Sequence, residues 1–475
     1  MLKLKFNYRF LFLQLLIGFS APYAFSQTHP NIILIMTDDQ GWGDVAYNGH
    51  PYIKTPNLDQ MVKDGARFTR SYSASAVCSP TRASFLTGRN PERFGICHAN
   101  CGHLKPEEVT IYELVKPLGY TTGHFGKWHL GTLTKDMPDA NRGGNPKFAS
   151  DFAPPWDHGA EVSFVTESKV PTWDPMKTPP VSAMEAGSKP LGSPYGTHYW
   201  TGAGKVETEN LDGDDSRVIM DRVLPFIDKA TKDKKPFVSV IWFHTPHLPV
   251  WTGEKYKNLY AGLSEDQQEF YGAITAMDEQ IGRLRAHLKA LGIDDNTIIT
   301  FTSDNGPEGK MPVNRTQGLT YGLDGRKRSL KEGGIRVPGI MVWPKSIKPG
   351  TVINTPVFTS DYFPTIAAML KVDIKKFNRP YDGMDLKAII DSKGQTQLKE
   401  RYLSFLLQGQ AAHIGTRYKI YREKANADWQ LFDILEDPNE TKNIAAAHPQ
   451  LYKTLVNDWS NWEKSVLNSA AGKDY

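Results

Sequence analysis

The chain has 475 residues, 40% of them hydrophobic and 11% aromatic, and its 56 basic and 52 acidic residues leave a formal net charge of +4. This length and composition predict a large buried core divided between two or three domains. The near balance of charge, together with the lack of a long basic tract, argues against a nucleic-acid-binding protein.

The first 26 residues have the pattern of a secretory signal peptide. Basic residues precede the apolar stretch 10–19, and small residues follow it before Ser26. The stretch is too short for a membrane span, and no cysteine near the cleavage region offers a lipoprotein anchor. We expect cleavage near Ser26/Gln27 and a periplasmic or secreted protein without a stable membrane anchor; the alternative is a buried N-terminal helix.

The first predicted strand is the apolar run 31–36, whose length and β-branched content are typical of a fully buried parallel strand. A short helix is predicted next, with Ser79 as its N-cap and Gly88 at its end. Cys78 then lies at the helix N-terminus, where backbone N–H groups favour an anion. Arg82 lies one turn further along.

The chain contains three cysteines, Cys78, Cys97 and Cys101. In an oxidising compartment the CHANC spacing allows a local disulfide between Cys97 and Cys101, which leaves Cys78 unpaired. So short a loop adds little entropic stabilisation, and two free buried thiols are the alternative.

Two further apolar runs, 237–243 and 297–302, have the character of buried strands. Between them lies the helix-like segment 264–292, with Ser264 as its N-cap and Gly292 as the residue that ends it. Strands alternating with helices predict an α/β sheet that is covered on both faces. Ligands of such sheets bind beyond the carboxyl ends of the strands.

Two regions depart from this pattern. Residues 132–210 are rich in Pro, Gly and Trp and are predicted to form long loops over the active face. From about residue 395, three segments resemble antiparallel strands and one resembles a helix: 401–407, 413–423, 429–435 and 449–466. The predicted division is a signal peptide at 1–26, a catalytic domain at 27–394 and a smaller C-terminal α+β domain with a short antiparallel sheet at 395–475.

Polar residues that suit a metal ion follow two of the predicted strands. Asp38 and Asp39 come after the first run, and Asp304 and Asn305 come after the run 297–302. A single strand-end carboxylate often only caps a loop, but two clusters on one sheet edge indicate a metal site. Oxygen ligands suit Ca²⁺ or Mg²⁺ rather than zinc, and no HxH or HExxH spacing indicates zinc.

Basic and imidazole side chains are predicted beside the same edge. The stretches GKWHLG, HTPHLP and KRSLKEGG contribute Lys127, His129, His244, His247, Lys327 and Arg328. Lys127 and His129 point to one side if their segment is extended, and a turn at Gly333–Gly334 returns the chain to a strand at 338–343. Each group alone is most simply structural, but together they suit a tetrahedral oxyanion ester.

The stretch Cys78–Arg82, CSPTR, followed by ASFLTGR, resembles the C-x-P-x-R signature of the type I sulfatases. DDQGWGD, GKWHLG, PHLP, SDNG, the K-x4-E-GG-x-R-x-P run and LFDILEDPNETKNIA follow the order of that family over most of the mature chain. The resemblance implies an alkaline-phosphatase-like α/β fold, in which helices sandwich a large mixed sheet beside the smaller C-terminal domain. It also implies a sulfatase that hydrolyses sulfate esters.

The resemblance also implies roles for individual residues. The signature cysteine is oxidised to formylglycine (3-oxoalanine) before folding in that family, by a formylglycine-generating enzyme. One Ca²⁺ per subunit is implied, with ligands from Asp38, Asp39, Cys78, Asp304 and Asn305. The implied catalytic residues are Cys78, Arg82, Lys127, His129, His247 and Lys327.

In the implied mechanism, one hydroxyl of hydrated formylglycine attacks sulfur, braced by Ca²⁺ and the signature arginine. His247, aided by Lys327, protonates the departing alcohol, and His129 removes the proton whose loss releases sulfate. His244 lies three positions off the family motif and is expected to contact the substrate. Residues 158–175 depart from the family's GFD pattern, so its serine-bearing stretch has no clear counterpart.

A sulfated carbohydrate is the expected substrate, because aromatic faces suit sugar rings. Five tryptophans are expected near the mouth of the site, with core packing as the alternative: Trp42, Trp128, Trp173, Trp200 and Trp251. The region 165–175 resembles bacterial polysaccharide sulfatases, which implies a sulfated oligo- or polysaccharide such as a carrageenan-type galactan. The competing hypotheses are a phosphonate monoester or phosphodiester hydrolase of the same superfamily and a non-catalytic polysaccharide-binding protein.

Overall fold

The computed structural model describes residues 29–180, 189–309, 316–394 and 400–474, so the predicted signal peptide lies outside the described residues. Within them the strands are β1 Asn31–Thr37, β2 Ala66–Phe68, β3 Ser71–Tyr72, β4 Thr121–Lys127, β5 Val162–Thr166, β6 Trp200–Gly202, β7 Lys205–Val206, β8 Phe237–Trp242, β9 Thr297–Ser303, β10 Arg336–Val337, β11 Gly339–Val342, β12 Thr351–Ile353, β13 Val357–Phe358, β14 Leu403–Leu407, β15 Gln410–Ile414, β16 Tyr418–Arg422 and β17 Gln430–Asp433. The α-helices are α1 Pro56–Asp64, α2 Cys78–Thr87, α3 Ile111–Val115, α4 Asp215–Lys232, α5 Glu254–Lys257, α6 Glu265–Ala290, α7 Glu332–Ile335, α8 Tyr362–Met369, α9 Lys387–Asp391 and α10 Pro449–Ala470.

Ten of the described strands form one sheet in the order β12-β2-β11-β9-β1-β8-β4-β5-β6-β7. The three strands predicted from apolar runs are β1, β8 and β9, and β1 is parallel to both of the others. β11 runs antiparallel to β9, so the sheet is mixed, as the resemblance implied. Every residue of β1 is buried, which is typical of a strand that is covered on both faces.

Helices cover both faces of this sheet, and alternate side chains of β1 face different layers. Leu34 and Met36 pack with α2, α3 and α8, while Ile33 and Ile35 pack with α4 and α6. The predicted α/β sheet sandwiched by helices is therefore confirmed. None of the helices in the described part of the chain is long and apolar enough to cross a membrane.

The ends of two predicted helices follow their local signals closely. Ser264 caps α6 through a capping box with Gln267, and Gly292 follows the helix in the left-handed conformation, with φ of 67°. Gly88 ends α2 in the same way, with φ of 73°. The predicted N-cap of α2 at Ser79 is wrong, because the N-cap is Val77, in extended conformation, and the helix begins at Cys78, two residues earlier than predicted.

Two predictions for the loops need correction. Residues 132–210 are mostly loops, but β5, β6 and β7 lie within them and extend the main sheet. These strands have five, three and two residues, too few for a clear alternating pattern. The expected turn at Gly333–Gly334 is the one-turn helix α7. Residues 181–188 lie outside the described part of the chain.

The C-terminal region contains the predicted antiparallel sheet and helix. β14, β15, β16 and β17 pair in sequence order as a meander, and α10 packs on one face through Leu455 and Trp459. The other face shares a hydrophobic core with Tyr72 and Val77, which lead into α2. A domain boundary between residues 394 and 395 stays a prediction, since residues 395–399 are not described.

A buried ion cluster joins this C-terminal sheet to the main domain. The Lys419 Nζ on β16 lies 2.9 Å from Glu440 and 3.2 Å from Glu332. The Tyr72 hydroxyl donates to Glu332 at 2.8 Å, and the Glu332 backbone N–H donates to Glu440 at 2.7 Å. Burial alone lowers the pKa of Lys419, but the Glu440 and Glu332 carboxylates outweigh burial and raise it above its ordinary value. The ammonium group therefore neutralises two buried carboxylates.

We expect Lys419→Met to destabilise the protein by about 3–5 kcal/mol, because it leaves the buried Glu440 without its cation and leaves Glu332 to the more distant Arg336 guanidinium at 3.8 Å. The matched control is Lys442→Met, since Lys442 is exposed in the same region. Calorimetric unfolding of the three proteins measures the effect. Equal melting temperatures for the Lys419→Met protein and the control would show that the cluster does not hold the two regions together.

Candidate active site

The acidic residues predicted at the strand ends lie together at the carboxyl edge of the main sheet. Asp38 and Asp39 follow β1, and Asp304 and Asn305 follow β9, its parallel neighbour. The Asp39 backbone N–H donates to the Asp304 Oδ1 at 3.1 Å. The Asn305 Nδ2 donates to the Asp39 Oδ1 at 2.7 Å. All four residues are at most 2% exposed, so the three carboxyl groups lie away from water.

Two cations lie on the Asp38 side of this cluster. The Arg82 guanidinium contacts the Asp304 Oδ2 at 2.6 Å through Nη2 and at 3.0 Å through Nε. Its Nη2 is 3.6 Å from the Asp38 Oδ2. The Lys127 Nζ, at the end of β4, donates to the same oxygen of Asp38 at 2.6 Å. Because all of these side chains are fully buried, the cations are needed to keep the carboxylates charged.

The remaining cation and one histidine lie on the Asp39 side. The Lys327 Nζ is 2.7 Å from the Asp39 Oδ1 and 3.3 Å from Glu308. The His247 Nε2 is 3.6 Å from the Asp39 Oδ2. Burial lowers the pKa of His247 to about 4, although the Asp39 charge opposes this effect. The Asp39 carboxylate and other nearby acids raise the pKa of Lys327 well above its usual range despite burial. Lys327 is therefore positively charged at neutral pH, whereas His247 is neutral.

Cys78 is the first residue of α2, and its Sγ donates to the Asp38 Oδ1 at 3.4 Å. Burial raises the pKa of the Cys78 thiol, and the charges of Asp304 and Asp38 raise it further. A thiol held neutral in this way is a poor nucleophile. Position 78 is thus central to the site, yet an unmodified cysteine does not suit catalysis there.

The pKa values of the neighbouring Asp38 and Asp304 carboxyl groups are shifted in opposite directions. Burial favours the neutral form of Asp38, but Lys127 above all, with His247 and Arg82, holds its pKa well below its usual range. Burial and the Asp38 charge raise the pKa of Asp304 to about 7, despite the Arg82 guanidinium. A divalent cation beside them would favour the charged form of each group.

The donor groups fit a hard divalent cation. Asp38, Asp39, Cys78 and His247 can each offer one atom, and these atoms all lie within 4.8 Å of one another. The Oδ1 of Asn305 is buried and has no hydrogen-bond partner, as expected of an oxygen reserved for a metal. Carboxylate and amide oxygens are the ligands that Ca²⁺ and Mg²⁺ prefer.

His129 lies beside the cluster in a conformation that the sequence did not indicate. β4 ends at Lys127, and His129 has φ of 58°, so the segment is not extended through both residues, which was the condition for their side chains to point to one side. The His129 Nε2 is 2.9 Å from the Asn100 Oδ1. Burial, with the charge of Lys127, lowers the pKa of His129 well below its usual range, so the ring is neutral.

The prediction that His244 contacts the substrate is wrong. Its side chain is fully buried, with 0% exposure. One ring nitrogen, Nδ1, lies 2.8 Å from the Asp215 Oδ2, and the other, Nε2, lies 2.8 Å from the Thr166 Oγ1. Because both nitrogens have protein partners, His244 braces α4 against the end of β5.

The expected ring of tryptophans is only partly present. Trp128 and Trp200 are buried in the core, and their indole N–H groups donate to the Ala153 carbonyl and to Asp139. The other three, Trp42, Trp173 and Trp251, are partly exposed. The alternative, core packing, is therefore confirmed for two of the five tryptophans.

Several residues near the site carry no recognisable sequence signal. Cys97 and Cys101 form a disulfide, which the CHANC spacing allowed, and the enclosed Asn100 reaches His129. The Oγ of Ser168, two residues after β5, accepts from Asn141 at 2.9 Å, so the region 158–175 does bring a buried serine near this loop. Of these features, only the closely spaced cysteine pair could have been noticed in the sequence. A disulfide between them closes a short loop and so restricts the positions of the residues inside it.

Comparison with known proteins gives consistent matches over nearly the whole chain. A family model described as Sulfatase matches residues 30–372, and one described as N-sulphoglucosamine sulphohydrolase, C-terminal, matches residues 323–463. Arylsulfatase A of Homo sapiens is 29% identical, over 93% of this chain and 89% of that protein. An ulvan-active sulfatase of Formosa agariphila is 28% identical, over 91% and 80%. The crystal structure of Ps i-CgsB in complex with k-i-k-neocarrahexaose has a TM-score of 0.76 and 27% identity, over 92% and 93%.

Proposed function

The chain belongs to the sulfatase family and is a sulfuric ester hydrolase, and from that premise we propose that it hydrolyses sulfate esters of a carbohydrate. The single observation that carries the site assignment is the place of Cys78. It is the one unpaired cysteine of the chain, and its Sγ lies 3.4 Å from Asp38 at the start of a helix. Around it, three cations face three carboxylates, which is a setting for an oxyanion.

We propose that residue 78 works as formylglycine, made by a formylglycine-generating enzyme during maturation. A thiolate that attacked a sulfate ester would form a sulfur–sulfur adduct that has no easy release, and this thiol is held neutral by burial. Hydrated formylglycine supplies two hydroxyls on one carbon, one to attack sulfur and one to expel sulfate. The Sγ of Cys78 marks where those hydroxyls lie.

We propose Asp38, Asp39, Asp304 and Asn305, with residue 78, as the Ca²⁺ ligands. When bound, the ion polarises a sulfate oxygen and favours deprotonation of the attacking hydroxyl. The unpartnered Oδ1 of Asn305 supports this assignment. Both oxygens of Asp304 also accept hydrogen bonds, Oδ2 from the Arg82 guanidinium at 2.6 Å and Oδ1 from the Asp39 backbone N–H at 3.1 Å.

The cations and histidines divide between two sides of residue 78. Arg82 and Lys127 neutralise charge on the Asp38 side, where they would hold the sulfate and the modified side chain. Lys327 and His247 lie on the Asp39 side, and we assign them to the leaving oxygen. Lys327 keeps its proton at neutral pH, whereas His247 is neutral there because its pKa is lowered to about 4. The proton that neutralises the leaving alkoxide therefore comes from the Lys327 ammonium, with His247 as the group that relays it.

The proposed substrate is a sulfated oligo- or polysaccharide, with a carrageenan-type galactan as the specific candidate. Support comes from the similarity to the ulvan-active sulfatase and to Ps i-CgsB, whose structure holds a neocarrahexaose. The Trp42 ring packs edge-on against Tyr321 with centroids 6.2 Å apart, and the Arg336 guanidinium lies over the Trp42 ring. Tyr321 is 44% exposed, so this pair offers an aromatic face to a sugar ring.

Export to the periplasm or the cell exterior is also a proposal. The Cys97–Cys101 disulfide supports it, because disulfides persist in oxidising compartments. The segment predicted as a signal peptide lies outside the described residues.

We expect Cys78→Ser to abolish multiple turnover and leave the fold intact, because a serine would be trapped as a stable sulfate ester. Sulfate released from sulfated galactan oligosaccharides and from nitrophenyl sulfate measures the activity. The matched control is Ser79→Ala, since the Ser79 Oγ is buried without a hydrogen-bond partner in the same turn. Full turnover by the Cys78→Ser protein would refute the proposed chemistry. Faster hydrolysis of nitrophenyl phosphodiesters than of nitrophenyl sulfate would favour the phosphodiesterase alternative.

Ca²⁺ added to chelator-stripped protein is expected to raise its melting temperature, because a ligand that binds only the folded state stabilises it. Asn305→Ala should shift the titration to higher Ca²⁺ concentrations. The control is Asn31→Ala: the Asn31 Oδ1 is also buried and unpartnered, but Asn31 begins β1, at the opposite end from Asp38. An unchanged titration for Asn305→Ala would remove this residue from the ligand set.

A further inference from the structure

A hydrogen bond joins His129 to the loop that the Cys97–Cys101 disulfide closes. The Nε2 of His129 is 2.9 Å from the Oδ1 of Asn100, which lies inside that loop. Asn100 has φ of 62°, a left-handed conformation that asparagine adopts more readily than most residues. The short loop thus directs one amide oxygen at one imidazole nitrogen.

The loop is held in place by contacts on its outer side. The Asn141 Nδ2 donates to the Asn100 Oδ1 at 3.2 Å and to the Ser168 Oγ at 2.9 Å. The next residue, Arg142, donates to the Gly102 carbonyl at 2.9 Å and to Glu167 at 2.7 Å. The position of Asn100 is therefore fixed by several groups, and one of them, Glu167, also accepts the His129 backbone N–H at 2.9 Å.

We propose that Asn100 is a positioning residue that fixes His129 as the Nε2–H tautomer and leaves Nδ1 as a free proton acceptor. An amide oxygen can only accept, so the ring nitrogen that faces it must donate. A neutral imidazole carries one ring proton, so Nδ1 is then unprotonated. This inference rests on the proposed function, which gives His129 the role of a base.

Three observations agree with this tautomer. The Nδ1 of His129 is buried and has no hydrogen-bond partner, although a buried polar group without a hydrogen bond is unfavourable. Burial and the nearby Lys127 lower the pKa of the ring, so it is not doubly protonated. The positive φ of His129 is strain of the kind found at functional sites. These unfavourable features of His129 are explained if its Nδ1 accepts a proton at the reacting centre.

The direct test is NMR of protein labelled with ¹⁵N-histidine, since protonated and unprotonated ring nitrogens differ strongly in chemical shift. His129→Gln identifies the His129 signals. We expect a protonated Nε2 and an unprotonated Nδ1 in the wild-type protein, and a mixture of tautomers in Asn100→Gly. The reverse assignment, Nδ1–H with a bare Nε2, would overturn the proposal.

Kinetics test the consequence. Asn100→Gly and Asn100→Asp both tolerate a positive φ, but only aspartate keeps an acceptor oxygen. We expect Asn100→Gly to lower kcat by about 10- to 100-fold, with KM changed by less than about threefold. Asn100→Asp should recover most of this loss. The control His98→Ala changes the same loop at a side chain that contacts only the Ala99 carbonyl, and it should match wild type.

Equal kcat for Asn100→Gly and wild type, or equal loss in the glycine and aspartate variants, would contradict the positioning role. The NMR measurement needs no turnover, so it separates this inference from the proposed function. A protein that shows the Nε2–H tautomer but releases no sulfate would refute the function alone. An active sulfatase with the opposite tautomer would refute the inference alone.

Discussion

The site depends on the neutralisation of buried acid at the carboxyl edge of the sheet. β1 and β9 are parallel neighbours, so the residues that follow them place three carboxylates within one small volume away from water. Such a group of charges is stable only with cations among them. Arg82 reaches it from α2, Lys127 from the end of β4 and Lys327 from the loop before α7. In the proposed function the same neutralising groups hold the sulfate around residue 78.

The C-terminal region supports this edge of the sheet indirectly, through the buried Glu332. Glu332 follows Lys327 by five residues and is held by Tyr72, which leads into α2, and by Lys419 of the C-terminal sheet. One buried carboxylate therefore links the segment that carries residue 78, the loop that carries Lys327 and the C-terminal region. This arrangement gives a physical reason why the C-terminal sheet packs against the segments that lead to Cys78 and that follow Lys327.

Much of this arrangement could be predicted from the sequence, because its signals are local. Apolar runs that end in acids, a capping box and the CSPTR stretch indicated β1, β8, β9, α6 and the presence of α2, although not its first residue. Contacts between distant segments gave no such signal. Asn100 and His129 are 29 residues apart, and their contact depends on a positive φ at each. His244 and His247 look alike in sequence, yet only His247 faces the acids, since Asp215 holds the other in the core.

The central claim is that position 78 is not a thiol in the working enzyme. Burial and two neighbouring carboxylates raise the pKa of the thiol, and a neutral thiol is a poor nucleophile, which is why we propose a different group there. The most direct measurement is the mass of the tryptic peptide 71–82 from purified active protein. The account predicts a peptide about 18 Da lighter than the cysteine form, as expected for an aldehyde in place of the thiol. An unmodified cysteine peptide accounting for all of the active protein would contradict it.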